Sequence, residues 1–114
     1  MAIDRIQPGE WNSRAAVHGN TVYLSGIVAD DKTLPMKEQT EEVLAKIDAI
    51  LARAGTDKSK VLTATVYLAD IEQKDEMNEA WMEWVDLRNL PARAAIGVKL
   101  TPGTLVEIMV TAAV

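Results

Sequence analysis

The stretch Leu105-Val-Glu-Ile-Met-Val-Thr-Ala-Ala-Val114 predicts a β-strand with two different faces. Successive strand residues point to opposite sides of a sheet, so the stretch separates into two sets of side chains. One set is entirely apolar: Val106, Ile108, Val110 and Ala112. The other set is mixed: Leu105, Glu107, Met109, Thr111 and Ala113. We therefore expect a sheet that packs helices on its first face and leaves its second face to another partner.

Two further stretches divide in the same way. Val61 to Leu68 separates into an apolar set (Leu62, Ala64, Val66 and Leu68) and a polar or aromatic set (Thr63, Thr65 and Tyr67). In the stretch Arg93 to Leu100, Ile96 and Val98 form the apolar set. This division predicts that Arg93, Ala95 and Gly97 share the mixed face with Glu107, and that the small side chains leave space beside the guanidinium.

The mixed face is too apolar for open solvent, because Leu105, Met109 and Tyr67 lie on it. Packing against further copies of the chain in a closed ring covers such a face. Arg93 and Glu107 would then lie near a semi-buried seam between subunits, where charges need partners and ligand pockets form.

Two segments show the spacing of amphipathic helices. From Met36 to Ala54 the apolar residues recur at intervals of three and four, and Gly55 supplies a stop signal. A shorter helix is predicted from about Lys74 to Leu87, because Pro91 prevents a longer one.

The first part of the chain predicts strands at Ile3 to Ile6, Arg14 to Val17 and Thr21 to Val28, the last two joined by a hairpin turn at Gly19. The element order ββ(β)αβαββ is that of an α+β protein with both helices on one face of a single mixed sheet.

Composition narrows the functional classes. The 114 residues suit one domain, spanning residues 1–114, and the hydrophobic content of 48% is ordinary for a globular chain. A net charge of −5 with scattered Lys and Arg argues against nucleic-acid binding. The chain has no Cys and one His, so we expect no metal site, and we expect no resident cofactor. No apolar run is long enough for a membrane span or a signal peptide, which predicts a cytoplasmic protein.

Four motifs occur in a recognisable order. They are Asn20-Thr-Val-Tyr-Leu-Ser-Gly26, Asp75-Glu-Met-Asn78-Glu-Ala-Trp81, Leu90-Pro-Ala-Arg93-Ala-Ala95 and Val106-Glu107-Ile108. In this order and at these spacings they resemble the motif series of the RidA/YjgF/YER057c/UK114 family, across nearly the whole chain.

The resemblance implies a chorismate-mutase-like fold, a homotrimer and three pockets at the subunit interfaces. It also implies hydrolysis of reactive enamine and 2-imino acids, such as 2-iminopropanoate and 2-iminobutanoate, to 2-keto acids and ammonia. By this resemblance Arg93 holds the substrate carboxylate and Glu107 assists the attacking water. The further residues that it assigns to the pocket are Ser25, Gly26, Asn78 and Ala95. Ala95 stands where many family members carry Cys, so only backbone contacts are expected there.

The residue types suit this chemistry by themselves. A guanidinium grips a carboxylate through two parallel hydrogen bonds, which is the role expected of Arg93. Addition of water to a C=N carbon needs a proton acceptor and then a proton donor to nitrogen, and the Glu107 carboxylate can serve as both.

Structural roles remain open for the same residues. Arg93 could form an interface salt bridge, Glu107 could pair with it, and Asn78 could face solvent. Trp81 and Trp84 are interpreted as core or subunit contacts. Two classes of function follow: an imine deaminase, and a non-catalytic keto-acid-binding, regulatory or chaperone-like protein. The pair of Arg93 and Glu107 favours the enzyme, because binding a carboxylate requires only the cation.

Overall fold

The computed structural model describes residues 1–114 as one mixed sheet with two helices on one face. The strands are β1 (Ile3–Pro8), β2 (Ser13–His18), β3 (Thr21–Leu24), β4 (Ile27–Val28), β5 (Val61–Leu68), β6 (Ala92–Gly97) and β7 (Val106–Ala113). The helices are α1 (Met36–Arg53) and α2 (Lys74–Trp84). The strand order is β1-β2-β3-β7-β5-β6, with β4 also on β7, and only β5 and β6 pair in parallel. The predicted α+β class and element order are confirmed.

Helix α1 buries its apolar stripe against β4 and β7, and helix α2 packs mainly against α1. Helix α1 ends where the sequence predicts, with Ala54 as its C-cap and Gly55 at a φ of 82°. Helix α2 ends at Trp84 and not at Leu87, because Val85 takes an extended conformation and turns its side chain into the core. Neither helix has the combination of length and apolar character that crossing a membrane requires.

Strand β7 has the two faces predicted for it. Val106, Ile108, Val110 and Ala112 are buried under the helices. On the opposite face, which we call the open face, Met109 is 41% exposed and Tyr23 of β3 is 50% exposed. No helix covers this face, so a layer of apolar side chains meets solvent in the single chain.

Two details of the strand pattern were wrong. A register shift between Val61 and Thr63 carries Val61 into the core and leaves Leu62 49% exposed. The two faces of strand β6 are the reverse of those predicted. Arg93 pairs with buried Ala64 and therefore faces the helices. Its alternate residue Ile96 is 43% exposed on the open face.

A buried amide fixes the start of β7 to α1. The Gln39 side chain donates to the carbonyl oxygens of Leu34 and Gly103, at 3.0 Å each, and accepts from the backbone N–H of Leu105 at 3.0 Å. Because Gln39 is fully buried, these three bonds satisfy its polar atoms where water cannot. They hold the backbone two residues before Glu107 in a fixed position.

Candidate functional site

Arg93 lies on the edge strand β6 and its guanidinium rests against α2. Its Nη1 donates to Asn78 Oδ1 at 2.8 Å and lies 3.9 Å from Met77 Sδ. Its guanidinium carbon is 5.0 Å from the centre of the Trp81 ring, a cation–π distance. Asn78 and Trp81 are three residues apart on α2, which places both on the side of the helix that faces β6. Asn78 thus contacts Arg93 and is not a free surface residue.

The electrostatic surroundings of Arg93 favour an anion. Burial lowers the pKa of the Arg93 guanidinium from its ordinary value. The three salt bridges of the chain involve other residues, so no carboxylate lies within 4.0 Å of Arg93. A partly desolvated cation held by a neutral amide and an aromatic ring keeps N–H donors free for a ligand, and a carboxylate matches their geometry.

A cleft of about 340 Å³ opens beside the guanidinium. Its lining residues come from α2, β6 and the segment between them: Asn78, Trp81, Met82, Leu90, Pro91 and Arg93. Among the residues predicted for the site, only Asn78 and Arg93 are in this cleft. Sequence reasoning missed the other four. The spacing of Asn78, Trp81 and Met82 on one helix was the signal that could have indicated Trp81 and Met82.

Glu107 lies in a second group of predicted residues, next to a bulge in the sheet. Tyr23 pairs with Thr111 and Ile27 pairs with Ile108, so residues 24–26 oppose only residues 109–110. This bulge separates β3 from β4, where the sequence predicts one continuous strand. Bulges redirect the local backbone and recur beside active sites.

The bulge gives the Glu107 carboxylate its place. A Cβ atom at Gly26 would lie 2.9 Å from Glu107 Cδ and overlap the carboxylate, so only glycine leaves the space that Glu107 occupies. Ser25 is held through its backbone N–H, which donates to the Arg14 carbonyl at 2.9 Å. Its Oγ atom is buried and has no hydrogen-bond partner in the chain. Gly26 therefore contacts Glu107, and Ser25, the residue before Gly26, contributes a buried hydroxyl without a partner.

The two groups lie on opposite faces of the sheet. Arg93 is on the helix side of β6, whereas Glu107 lies between two buried residues of β7 and points to the open face. Strand β5 separates β6 from β7. The expectation that both charges share one face is therefore wrong, and a single chain does not bring them together.

The prediction that Ala95 and Gly97 leave space beside Arg93 is also wrong. Gly97 does not contribute a cavity, because a Cβ atom there would lie 3.2 Å from the Ile71 side chain. Ala95 packs against the edge of the hydrophobic core beside its strand partner Val66. No three His, Asp or Glu side chains converge closely enough to hold a metal ion.

Comparison with known proteins identifies the family. Residues 3–114 match the family model described as Endoribonuclease L-PSP. A RutC family protein of Haemophilus ducreyi is 44% identical over 113 residues, covering 98% of this chain and 97% of the relative.

Solved structures agree with this assignment. NMB1025 of Neisseria meningitidis, a member of the YjgF protein family, superposes with a TM-score of 0.93 at 38% identity, covering 99% of this chain and 95% of that one. An uncharacterized protein of Pseudomonas aeruginosa gives a TM-score of 0.95 at 35% identity, covering 98% of both chains. The chain therefore belongs to the RidA/YjgF/UK114 family, as its four motifs indicate.

Proposed function

We propose that this protein hydrolyses 2-imino acids and their enamine tautomers to 2-keto acids and ammonia. The observation that carries the proposal is the guanidinium of Arg93, which is partly desolvated, lacks a carboxylate partner and borders an open cleft. Such a cation binds the carboxylate of a small acid through paired hydrogen bonds. Imine hydrolysis also needs an acid-base group, and the role falls to Glu107.

The active unit that we propose is a homotrimer. Arg93 and Glu107 belong to different surfaces of the chain, so a contact that joins them is head-to-tail, and repeated head-to-tail contacts close into rings. The exposed apolar side chains of the open face, such as Met109 and Tyr23, favour burial in such a ring. Each of three sites would then combine Arg93 of one protomer with Glu107 of the next.

The proposed reaction divides its steps between these two charges. Arg93 holds the substrate carboxylate and orients the C=N carbon. On the protonated imine, Glu107 accepts a proton from water as the water oxygen bonds to that carbon and the C=N π electrons pass to nitrogen, which gives a tetrahedral aminoalcohol. Glu107 then delivers this proton to nitrogen and the C–N bond breaks. Ammonia leaves as Glu107 takes the hydroxyl proton and the oxygen becomes that of the ketone. The unpaired Ser25 hydroxyl can hydrogen-bond the polar atoms of this intermediate.

The assembly is tested by light scattering at micromolar concentration. We expect three times the mass of the chain, because the open face is too apolar to remain solvated. A stable monomer would remove both the ring and the site shared between subunits.

The activity is tested by generating 2-iminopropanoate and 2-iminobutanoate within the assay mixture with an amino-acid-degrading enzyme. Semicarbazide traps the surviving imine, so an active protein lowers the rate of semicarbazone formation. Imines also hydrolyse spontaneously, and the rate must therefore be compared with a protein-free blank. A rate equal to the blank would favour the second candidate, a keto-acid-binding or regulatory protein that uses only the Arg93 cation.

Binding of RNA is not part of the proposal, although the family description includes an endoribonuclease. The chain carries 17 acidic and 12 basic residues, and the balance is more acidic on the helices than elsewhere. In α2, one Lys accompanies four carboxylates, a net charge of −3. A polyphosphate backbone would be repelled from this surface.

A further inference from the structure

We infer that the cleft beside Arg93 selects 2-imino acids with large apolar side chains, of the kind derived from leucine, methionine or phenylalanine. The inference rests on the proposed function, because it assumes that the substrate carboxylate binds Arg93. It goes further in naming the side-chain class, and in assigning a specificity role to Leu90 and Met82.

The polar groups of the cleft are all at one end. Arg93 and Asn78 are bonded to each other at 2.8 Å, and together they supply the carboxylate site. Every other lining residue is uncharged and largely apolar: Trp81, Met82, Leu90 and Pro91. A substrate anchored by its carboxylate therefore has an apolar wall next to the rest of its structure.

Two of these residues expose most of an apolar side chain to solvent. Leu90 is 64% exposed and Met82 is 55% exposed, whereas Trp81 of the same lining is 5% exposed. Burial of such surface by a ligand is favourable roughly in proportion to the area removed from water. The volume of about 340 Å³ lies in the range of about 300–1,000 Å³ typical of sites for ligands larger than a three-carbon acid.

The charge of the lining disfavours substrates with an acidic side chain. The lining contains one cation, and that cation binds the 2-carboxylate, so the second carboxylate of an acidic substrate has no partner. An apolar side chain meets the uncharged residues of the lining and leaves no charge without a partner.

The preference is measured with stable keto acids, so that binding is separated from turnover. Titration calorimetry on the wild-type protein should give a dissociation constant for 4-methyl-2-oxopentanoate about tenfold lower than that for pyruvate. The constant for 2-oxoglutarate should be higher than that for pyruvate. Equal constants for pyruvate and 4-methyl-2-oxopentanoate would overturn the inference, whether or not imines are hydrolysed.

Two leucines in the same segment provide a matched pair of variants. Leu90 lines the cleft, whereas Leu87 is 62% exposed and lies outside it. Leu90→Ala should reduce the ratio of the dissociation constant for pyruvate to that for 4-methyl-2-oxopentanoate by about threefold to fivefold. Leu87→Ala should leave this ratio unchanged. The inference is wrong if both variants change the ratio equally or if neither does.

The same comparison separates this inference from the proposed function. If no imine is hydrolysed above the blank but the keto-acid preference holds, the enzyme proposal fails and the selectivity of the cleft stands. If hydrolysis occurs with equal kcat/KM for the imines of alanine and leucine, the enzyme proposal stands and the selectivity fails.

Discussion

Replacement of Arg93 by Ala is expected to weaken keto-acid binding and imine hydrolysis together. A charge-assisted, bidentate contact is worth about 1.5–3 kcal/mol, which corresponds to a loss of affinity of about 10-fold to 150-fold. The loss should be at the upper end, because Arg93 is partly desolvated and no other cation lines the cleft. Calorimetric titration with 2-oxobutanoate measures the binding, and the semicarbazone assay measures turnover.

Arg88 provides the matched control for this variant. Arg88 lies in the segment between α2 and β6 and does not line the cleft. Its replacement by Ala removes the same charge as Arg93→Ala. Arg88→Ala should therefore bind keto acids like the wild type. Arg93→Lys should bind more weakly than the wild type, since an ammonium cannot form the paired bonds of a guanidinium. If Arg93→Ala keeps its affinity, the carboxylate binds elsewhere and the proposed site is wrong.

Long periodic elements were predictable from the sequence because the physical signal repeats within them. In α1 the apolar interval recurs over 18 residues and Gly55 marks its end, so the boundaries agree closely with the structure. In β7 the alternation runs over eight residues of a central strand, where one face must be buried. The predictions agreed best with the structure where burial of one face allows only one arrangement of the side chains.

The faces of edge strand β6 were predicted the wrong way round because the strand is only partly buried. Ile96 and Val98 were the most apolar residues of the strand and were therefore assigned to the core side. At the edge of the sheet, however, α2 offers Arg93 an aromatic ring and an amide, and the long side chain packs there with its charge retained. The apolar residues Ile96 and Val98 are therefore exposed in the single chain.

The members of the candidate site were predictable from motifs, but their arrangement was not. Arg93 contacts Asn78, whereas Glu107 contacts Gly26. The sequence could not separate these two groups. Strand alternation describes one chain, whereas in the proposed trimer the relation between these groups depends on contacts between chains. The bulge at Ser25 and Gly26 was also missed, since it follows from the pairing of β3 and β4 with β7 and not from local residue type.

Glu107→Gln is expected to separate binding from catalysis. Glutamine keeps the shape that fits above Gly26 and retains an acceptor oxygen, but it cannot take a proton from water. Keto-acid affinity should therefore remain near the wild-type value, while imine hydrolysis above the blank falls by about 10²-fold. The mass of the variant must match the wild type. Turnover at the wild-type rate would make Glu107 a structural residue and favour the binding-protein alternative.

Mixing the two inactive variants tests whether one site takes its charges from two subunits. When Arg93→Ala and Glu107→Gln chains assemble randomly in equal amounts, one in four neighbouring pairs joins an intact Arg93 to an intact Glu107. Activity should therefore rise from about 1% to about a quarter of the wild-type value. If each site were built within one chain, every site would retain a defect and mixing would give only the mean of the two variants. Recovery therefore requires the head-to-tail ring, because the sheet places the two charges on opposite faces of each protomer.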